Sequence, residues 1–166
     1  MPITQDATYP VSPDALLAAL TDEAFLRERA AALGADVQEL TVRTDGDRPR
    51  TEVRLAAPTT GIPPVFARFV GDRVTVVERT AWTPDGTGGH RSDLDVQAEV
   101  FGRTVQVTGE RRLVPDAAGS RSTVTGEATV DAPLIGRQAE AAVRELIGVV
   151  FRREDEVLNR RFGERN

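Results

Sequence analysis

The pattern of hydrophobic and polar positions near the C-terminus predicts one long amphipathic helix. Over residues 134–158, apolar residues recur every three or four positions, which is the spacing of a helix and not of a strand. The apolar side consists of Ile135, Ala139, Ala142, Val143, Leu146, Val150 and Val157. The opposite side carries charged residues, at Arg137, Glu140, Arg144 and Asp155. One face of this helix must therefore be buried against the rest of the chain.

The first part of the chain predicts a strand followed by two short helices. Apolar and polar residues alternate over residues 3–9, as in a half-buried strand. Ser12 precedes Pro13, so a hydroxyl can cap a helix whose first turn begins with proline. Thr21-Asp22 predicts the cap of a second helix, and Gly34 predicts its end.

Six more strands are predicted before the long helix. They cover residues 37–43, 50–55, 73–82, 90–101, 104–114 and 121–130. The first two are joined by the turn sequence Asp45-Gly46-Asp47, and the last four have short connections that predict an antiparallel meander. We therefore expect an α+β fold in which a curved antiparallel sheet of about seven strands wraps around the C-terminal helix.

The segment between the second and third of these six strands breaks the pattern. Prolines and a glycine in residues 58–64 exclude a regular central strand. Apolar residues then follow at helical spacing, at Ile62, Val65, Phe66, Phe69 and Val70. This segment predicts either a lid or rim over the core or a short turn that packs against its end.

A two-residue hairpin loop is predicted between strands 90–101 and 104–114. Gly102-Arg103 has glycine in the first position, which suits a tight turn and would pair Phe101 with Thr104. The turn would then set the register of both strands. The predicted inward residues of this pair are Leu94, Val96, Ala98 and Val100 opposite Val105, Val107, Gly109 and Arg111.

The predicted register brings two charged residues together on the inward face. If Trp82 pairs near His90, then Glu78, Leu94 and Arg111 fall in one row across three strands. Glu78 and Arg111 would lie about 10 Å apart at the backbone, so their side chains could meet over Leu94. Inward charges are costly unless paired. The pair can orient a polar group of a ligand, Glu78 can act as a general base, or the pair is purely structural.

Small residues face each other where the sheet is expected to meet the helix. They are Gly109, Gly126, Ala98 and Ala128 on the sheet and Ala139 and Ala142 on the helix. Either the helix and the sheet approach closely, or they stay apart and leave a cavity for a hydrophobic ligand.

Length, charge and composition narrow the class of protein. The 166 residues predict one domain, 1–166, long enough to bury a core. A net charge of −5 argues against a nucleic-acid-binding protein. Without cysteine and with His90 as its single histidine, the chain cannot assemble the usual zinc sites or a thiol nucleophile. Asp93 and Asp95 near His90 are expected to face solvent, so we expect no metal and no cofactor.

No targeting or membrane segment is recognised in the sequence. The N-terminal residues 1–6 lack the basic and apolar regions of a signal peptide. The longest apolar run, residues 146–151, is too short to span a bilayer. We expect a soluble cytoplasmic protein with no integral membrane segment.

The order of elements resembles the helix-grip fold of the START-like superfamily, which includes polyketide cyclases and lipid-transfer proteins. Ile62-Pro63, Phe69-Val70-Gly71, Ala132-Pro133-Leu134-Ile135-Gly136 and Glu140 look like an actinobacterial branch of unknown function. The resemblance implies a sheet wrapped around the last helix, an apolar cavity and a hydrophobic small-molecule ligand. It carries over no catalytic residue.

The candidate cavity residues come from the strands, the irregular segment and the helix. They are Glu78, Trp82, Leu94, Arg111, Phe66, Phe69, Leu146, Val150 and Arg153. Arg153 either points toward the sheet or runs its stem along the helix to water. No catalytic, cofactor-binding or metal-binding residue is assigned.

Three functions remain open on the sequence. The leading hypothesis is a non-enzymatic domain that binds or transports a lipid, isoprenoid or polyketide-like molecule. The second is a cyclase or dehydratase in which Glu78 or Arg111 polarises the substrate. The third is a protein-interaction module with a filled core and an exposed apolar patch.

Overall fold

The chain is described here by a computed structural model over residues 1–59, 64, 72–100, 103–131 and 136–163. The strands within these residues are β1 (Pro2–Tyr9), β2 (Asp36–Arg43), β3 (Arg50–Pro58), β4 (Arg73–Pro84), β5 (His90–Val100), β6 (Arg103–Asp116) and β7 (Gly119–Val130). The helices are α1 (Pro13–Leu20), α2 (Glu23–Ala32) and α3 (Gly136–Gly163). The predicted lid or rim residues from Ile62 to Val70 lie outside the described residues, except for position 64.

The strands form a curved antiparallel sheet in the order β1-β7-β6-β5-β4-β3-β2. The three helices pack against one face of it, because Leu16 of α1, Phe25 of α2 and Leu158 of α3 share a core with the inward residues Val53 and Leu113. The predicted α+β helix-grip fold is therefore confirmed.

The two short helices begin and end where the capping residues predict. Ser12 accepts a hydrogen bond from the amide of Ala15, and Asp22 accepts one from the amide of Phe25. Gly34 follows α2 with a φ of 67°, a left-handed conformation that glycine adopts without strain. These local signals hold α1 and α2 in place beside the C-terminal half of α3.

The β5–β6 hairpin has a different register from the predicted one. Thr104 pairs with Glu99 and not with Phe101, and Val100 pairs with Arg103. Pairing runs continuously from His90–Leu113 to the loop, so contacts along the whole strands set the register. Because the shift is two residues and side chains alternate with a period of two, the predicted inward residues whose side chains are described stay on the inward face.

The buried residues form two clusters that meet different parts of α3. The larger cluster joins α1 and α2 to the C-terminal half of α3 and includes Phe25, Trp82 and Phe162. The smaller cluster lies against the N-terminal half of α3 and includes Ala128 and Ala142. The sheet therefore packs against α3 through two separate clusters.

Candidate functional site

A cavity of about 200 Å³ lies between the inward face of the sheet and α3. Its walls are mainly aliphatic, and the central strands contribute Val53, Leu55, Val74, Val76, Val96 and Val107. From α3, the cavity is lined by Val143, Leu146, Ile147, Val150 and Phe151. Most of these helix residues are only half-buried, because they face the cavity and not a packed neighbour. The site is an apolar hollow with a limited number of polar groups in its wall.

Six of the nine predicted cavity residues line this hollow: Glu78, Trp82, Leu94, Arg111, Leu146 and Val150. Phe66 and Phe69 lie outside the described residues. The inclusion of Arg153 among the cavity residues is wrong, because its side chain is about half exposed and pairs with Glu156 at 2.9 Å on the outer side of α3. Arg153 reaches water directly, as the alternative of a snorkelling side chain anticipates.

Four charged side chains of the cavity wall, Glu78, Arg29, Glu154 and Arg111, form a connected network. Arg29 donates from Nη1 to Glu154 Oε2 at 2.9 Å and from Nη2 to Glu78 Oε1 at 3.0 Å. Arg111 Nη2 lies 2.8 Å from Glu154 Oε1, and Arg111 Nε donates to Ser122. Glu154 is thus held between two arginines.

The charged network is buried to different depths. The side chains of Glu154 and Arg29 are 4% and 7% exposed, whereas those of Arg111 and Glu78 are 12% and 19% exposed. Two positive and two negative groups balance one another. This balance is required because an uncompensated charge at such depth is strongly unfavourable.

The network controls the protonation of its buried members. Burial raises the pKa of the Glu154 carboxyl, but the guanidinium groups of Arg111 and Arg29 outweigh this effect and lower the pKa below its ordinary value. Burial lowers the pKa of Arg29, and the carboxylates of Glu78 and Glu154 more than reverse it. Glu154 is consequently ionised and Arg29 protonated across the neutral pH range.

The predicted direct pair between Glu78 and Arg111 is wrong. Trp82, not Glu78, shares a row with Arg111, because Trp82 pairs with Ser92 and Ser92 with Arg111. Glu78 therefore lies about 13 Å along the strands and about 10 Å across them from Arg111. The side chains cannot span this separation, and each instead meets a partner supplied by a helix.

The sequence analysis missed Arg29 and Glu154, although their positions carry a signal. Arg29 lies three residues after Leu26, on the buried side of α2. Glu154 lies between Val150 and Val157 at the spacing of the buried side of α3. A charged residue on an apolar helical stripe calls for a buried partner of opposite charge. That pattern identifies both residues as network members without a structure.

The small inward residues have two different roles. Gly109 and Gly126 face each other across β6 and β7, and a Cβ atom at Gly109 would lie 2.1 Å from the carbonyl oxygen of Thr125. These glycines allow the strands to approach closely. Ala98, by contrast, lines the cavity and is half-buried. Both of the alternatives left open for the helix and the sheet occur, because Ala128 and Ala142 share a buried cluster whereas Ala98 lines the cavity.

The residues around His90 do not gather into a metal site. His90 is buried and its Nε2 atom lies 2.6 Å from Asp14 of α1, while Asp93 is exposed and Asp95 lies near Arg79. Over the described ranges, no group of three or more histidine, aspartate or glutamate side chains is arranged to hold a metal ion. In the same ranges, no helix is long and apolar enough to cross a membrane.

The fold is similar to that of several solved structures at low sequence identity. A conserved protein from Geobacillus kaustophilus matches with a TM-score of 0.64 and 15% identity, covering 96% of each chain. Protein CV1439 from Chromobacterium violaceum matches with a TM-score of 0.62 and 15% identity, covering 97% of this chain and 96% of that one. Ara h 8.0201 matches with a TM-score of 0.52 and 16% identity, over 96% and 98%. These similarities establish the fold.

Comparison of the sequence with known families and with curated proteins gives two results. The profile of a family described as "Protein of unknown function (DUF2505)" matches residues 4–161, almost the whole chain. No curated protein matches the sequence.

Proposed function

We propose that this chain, which belongs to the family described as protein of unknown function (DUF2505), binds a small hydrophobic molecule in the cavity between its sheet and α3. The observation that carries the proposal is the apolar hollow of about 200 Å³ with the charged network in its wall. Ligand sites are typically concave and mostly apolar with a few placed polar groups. Transport of the bound molecule is part of this proposal.

The volume limits the size of the ligand. An engineered apolar cavity of about 150 Å³ binds benzene, and sites for drug-sized ligands span about 300–1,000 Å³. A hollow of about 200 Å³ fits a slender aliphatic or isoprenoid chain better than a bulky multi-ring polyketide. Among the ligand classes expected from the sequence, lipid and isoprenoid molecules are therefore favoured.

The other two hypotheses have less support. For the enzyme hypothesis, the structure shows only that Glu78 lines the cavity in an ion pair with Arg29 at 3.0 Å. An interaction module needs a filled core, whereas half-buried apolar residues of α3 face the cavity. These observations favour binding over catalysis and over recognition of a protein partner.

Native mass spectrometry of the purified protein, followed by solvent extraction, tests the proposal. We expect a stoichiometric hydrophobic adduct, or, after its removal, saturable binding of 1-octanol by isothermal titration calorimetry. Ala98→Leu should weaken this binding because it fills the cavity, while Gln97→Leu on the exposed face of the same strand should not. Absence of both adduct and octanol binding, or equal binding by the two variants, would contradict the proposal.

Three finer predictions accompany the proposal. The motifs quoted from the sequence support placing the chain in an actinobacterial branch of the START-like superfamily. The single domain spanning residues 1–166 and the cytoplasmic location stay predictions. Limited proteolysis tests the first of these two, and fractionation of the source cells tests the second.

A further inference from the structure

Glu78 presents an unused hydrogen-bond acceptor to the cavity. Its Oε1 atom accepts from Arg29, and its Oε2 atom has no hydrogen-bond partner among the described residues. Glu154, in contrast, uses both carboxylate oxygens on arginines and is almost fully buried. Glu78 is also the most exposed member of the network, at 19%. A ligand that enters the cavity therefore meets the Glu78 carboxylate as an available acceptor.

A pair of threonine hydroxyl groups lies next to Glu78. Thr80 is two residues from Glu78 on the same face of β4, about 7 Å along the strand, and its hydroxyl is hydrogen-bonded to that of Thr51 on β3. Each hydroxyl has one hydrogen to donate, and the bond between the two uses only one. Both residues line the cavity. The pair therefore retains one donor for a ligand.

The charge of the wall restricts the ligand further. The charged network sums to zero, and it lies in a mainly aliphatic cavity where charges interact strongly. A carboxylate ligand would be repelled by Glu78 and could not donate a hydrogen bond to it. An ammonium ligand could donate to Glu78, but it would compete with Arg29 and could not accept from the threonines. Of these three head groups, the hydroxyl group alone both donates and accepts without adding charge.

We propose that the ligand is a neutral alcohol with a slender apolar body, whose hydroxyl group donates to Glu78 and accepts from the Thr51–Thr80 pair. This inference rests on the proposed function, because it names the chemical class of the molecule bound in the same cavity. The apolar body lies along the half-buried face of α3 at Leu146 and Val150.

Three probes with the same apolar body and different head groups test this inference. Wild-type protein is titrated at pH 7 by isothermal titration calorimetry with 1-octanol, with octanoate as the anion and with octylamine as the cation. We expect 1-octanol to bind about tenfold or more tightly than either charged probe, because burying an unbalanced charge is unfavourable. Binding of octanoate or octylamine as tight as that of 1-octanol overturns the inference.

The variant Glu78→Gln changes the charge of the network and predicts a change of selectivity. Glutamine still offers an oxygen to Arg29, but the network then carries a net positive charge. We expect the affinity for octanoate to rise about tenfold relative to the affinity for 1-octanol. The matched control is Glu52→Gln, because Glu52 lies on the outer face of β3 beside Arg79 and should leave the ratio unchanged. An unchanged ratio in Glu78→Gln also overturns the inference.

The two proposals fail in distinguishable ways. If none of the three octyl compounds binds to wild-type protein, the proposed function fails and the inference fails with it. If the compounds bind and Ala98→Leu weakens their binding, the proposed function stands. If 1-octanol then binds no more tightly than the charged probes, only the alcohol assignment is wrong. The wild-type titrations decide this even if Glu78→Gln does not fold.

Discussion

The two halves of α3 face the same side of the sheet but are packed in different ways. In the C-terminal half, Val157 and Leu158 have no exposed surface, and Phe162 is 4% exposed. Around the middle of the helix, Leu146 and Val150 are only half-buried because they line the cavity, whereas Ala142 and Val143, nearer the N-terminus, are buried again. We call residues 157–162 the filled end of this inward face and residues 146–151, which line the cavity, its hollow end.

The difference comes from what covers each half. Leu16 of α1 and Phe25 of α2 pack into the core around the filled end. The buried cluster at the hollow end contains sheet residues and α3 residues alone, within the described part of the chain. The charged network lies between the two ends at Glu154. Helical amphipathicity thus predicts that a face is turned inward, but neighbouring elements decide whether that face is packed or lines a cavity.

Removal of the Glu154 side chain should have the largest effect on stability, because Glu154 pairs with two buried arginines between the filled and the hollow end. Glu154→Ala leaves Arg29 and Arg111 buried with too few anionic partners. We expect the free energy of unfolding to fall by about 3–5 kcal/mol, measured by urea denaturation. Glu156→Ala, on the exposed side of the same helix, should change it by less than about 0.5 kcal/mol. Similar losses in both variants would mean that the buried network contributes no more to the free energy of unfolding than an exposed ion pair does.

Truncation of leucine on α3 compares the ends directly. Leu158→Ala should cost about 2–5 kcal/mol, because the side chain is fully buried and its loss leaves a new void. Leu146→Ala should cost about 1 kcal/mol, because part of its surface already faces the cavity. The two values come from the same urea titration. Equal losses would contradict the division into a filled and a hollow end.

Enlargement of alanine gives the opposite test with one chemical change. Ala30→Leu on α2 overpacks the filled end, where Ala30 is 1% exposed, and should cost about 1–3 kcal/mol. Ala98→Leu extends into the cavity and should cost less than about 1 kcal/mol. Gly109→Leu is unsuitable for this purpose, because its Cβ would collide with the backbone of β7. Thermal unfolding of Ala30→Leu and Ala98→Leu gives both losses of stability. A larger loss in Ala98→Leu would contradict the prediction.

Lowering the pH should weaken the charged network at Glu154, with a smaller loss of stability than the substitutions cause. The pKa of Glu154 is lower in the folded chain than its ordinary value of 4.5, so its ionisation stabilises the fold above that value. This contribution is lost as the pH falls below about 4.5 toward the folded pKa. We expect the urea midpoint of wild type to fall more steeply from pH 7 to pH 3 than that of Glu154→Gln. Parallel pH profiles would show that Glu154 does not titrate with folding.

The fold could be predicted largely from local patterns, and the site only in part. Alternation, capping residues and helical spacing gave the order of elements, since each depends on neighbours within a few residues. The register of β5 and β6 was wrong by two residues, because it depends on pairing along whole strands. The register of β4 and β5 was also wrong by two residues, since Trp82 pairs with Ser92 and not near His90. Together the two errors kept Glu78 and Arg111 on the inward face but put them in one row.

The partners of the inward charges were missed for a related reason. Arg29 and Glu154 are 125 residues apart in the chain, and neither was assigned to the site. Both residues lie on the apolar side of their helices, and this spacing in the sequence predicts that they are buried. Which charge each one meets depends on how α2 and α3 cross the sheet.

The sequence by itself determined which residues turn inward, where the short helices begin and end, and that a long helix must be covered by a sheet. These features follow from periodicity and from backbone hydrogen bonding over short distances. The tertiary structure alone decided that Arg29 joins Glu78 to Glu154, and that α3 is filled at one end and hollow at the other. Such features depend on the distances between elements far apart in the chain, and no local pattern encodes these distances.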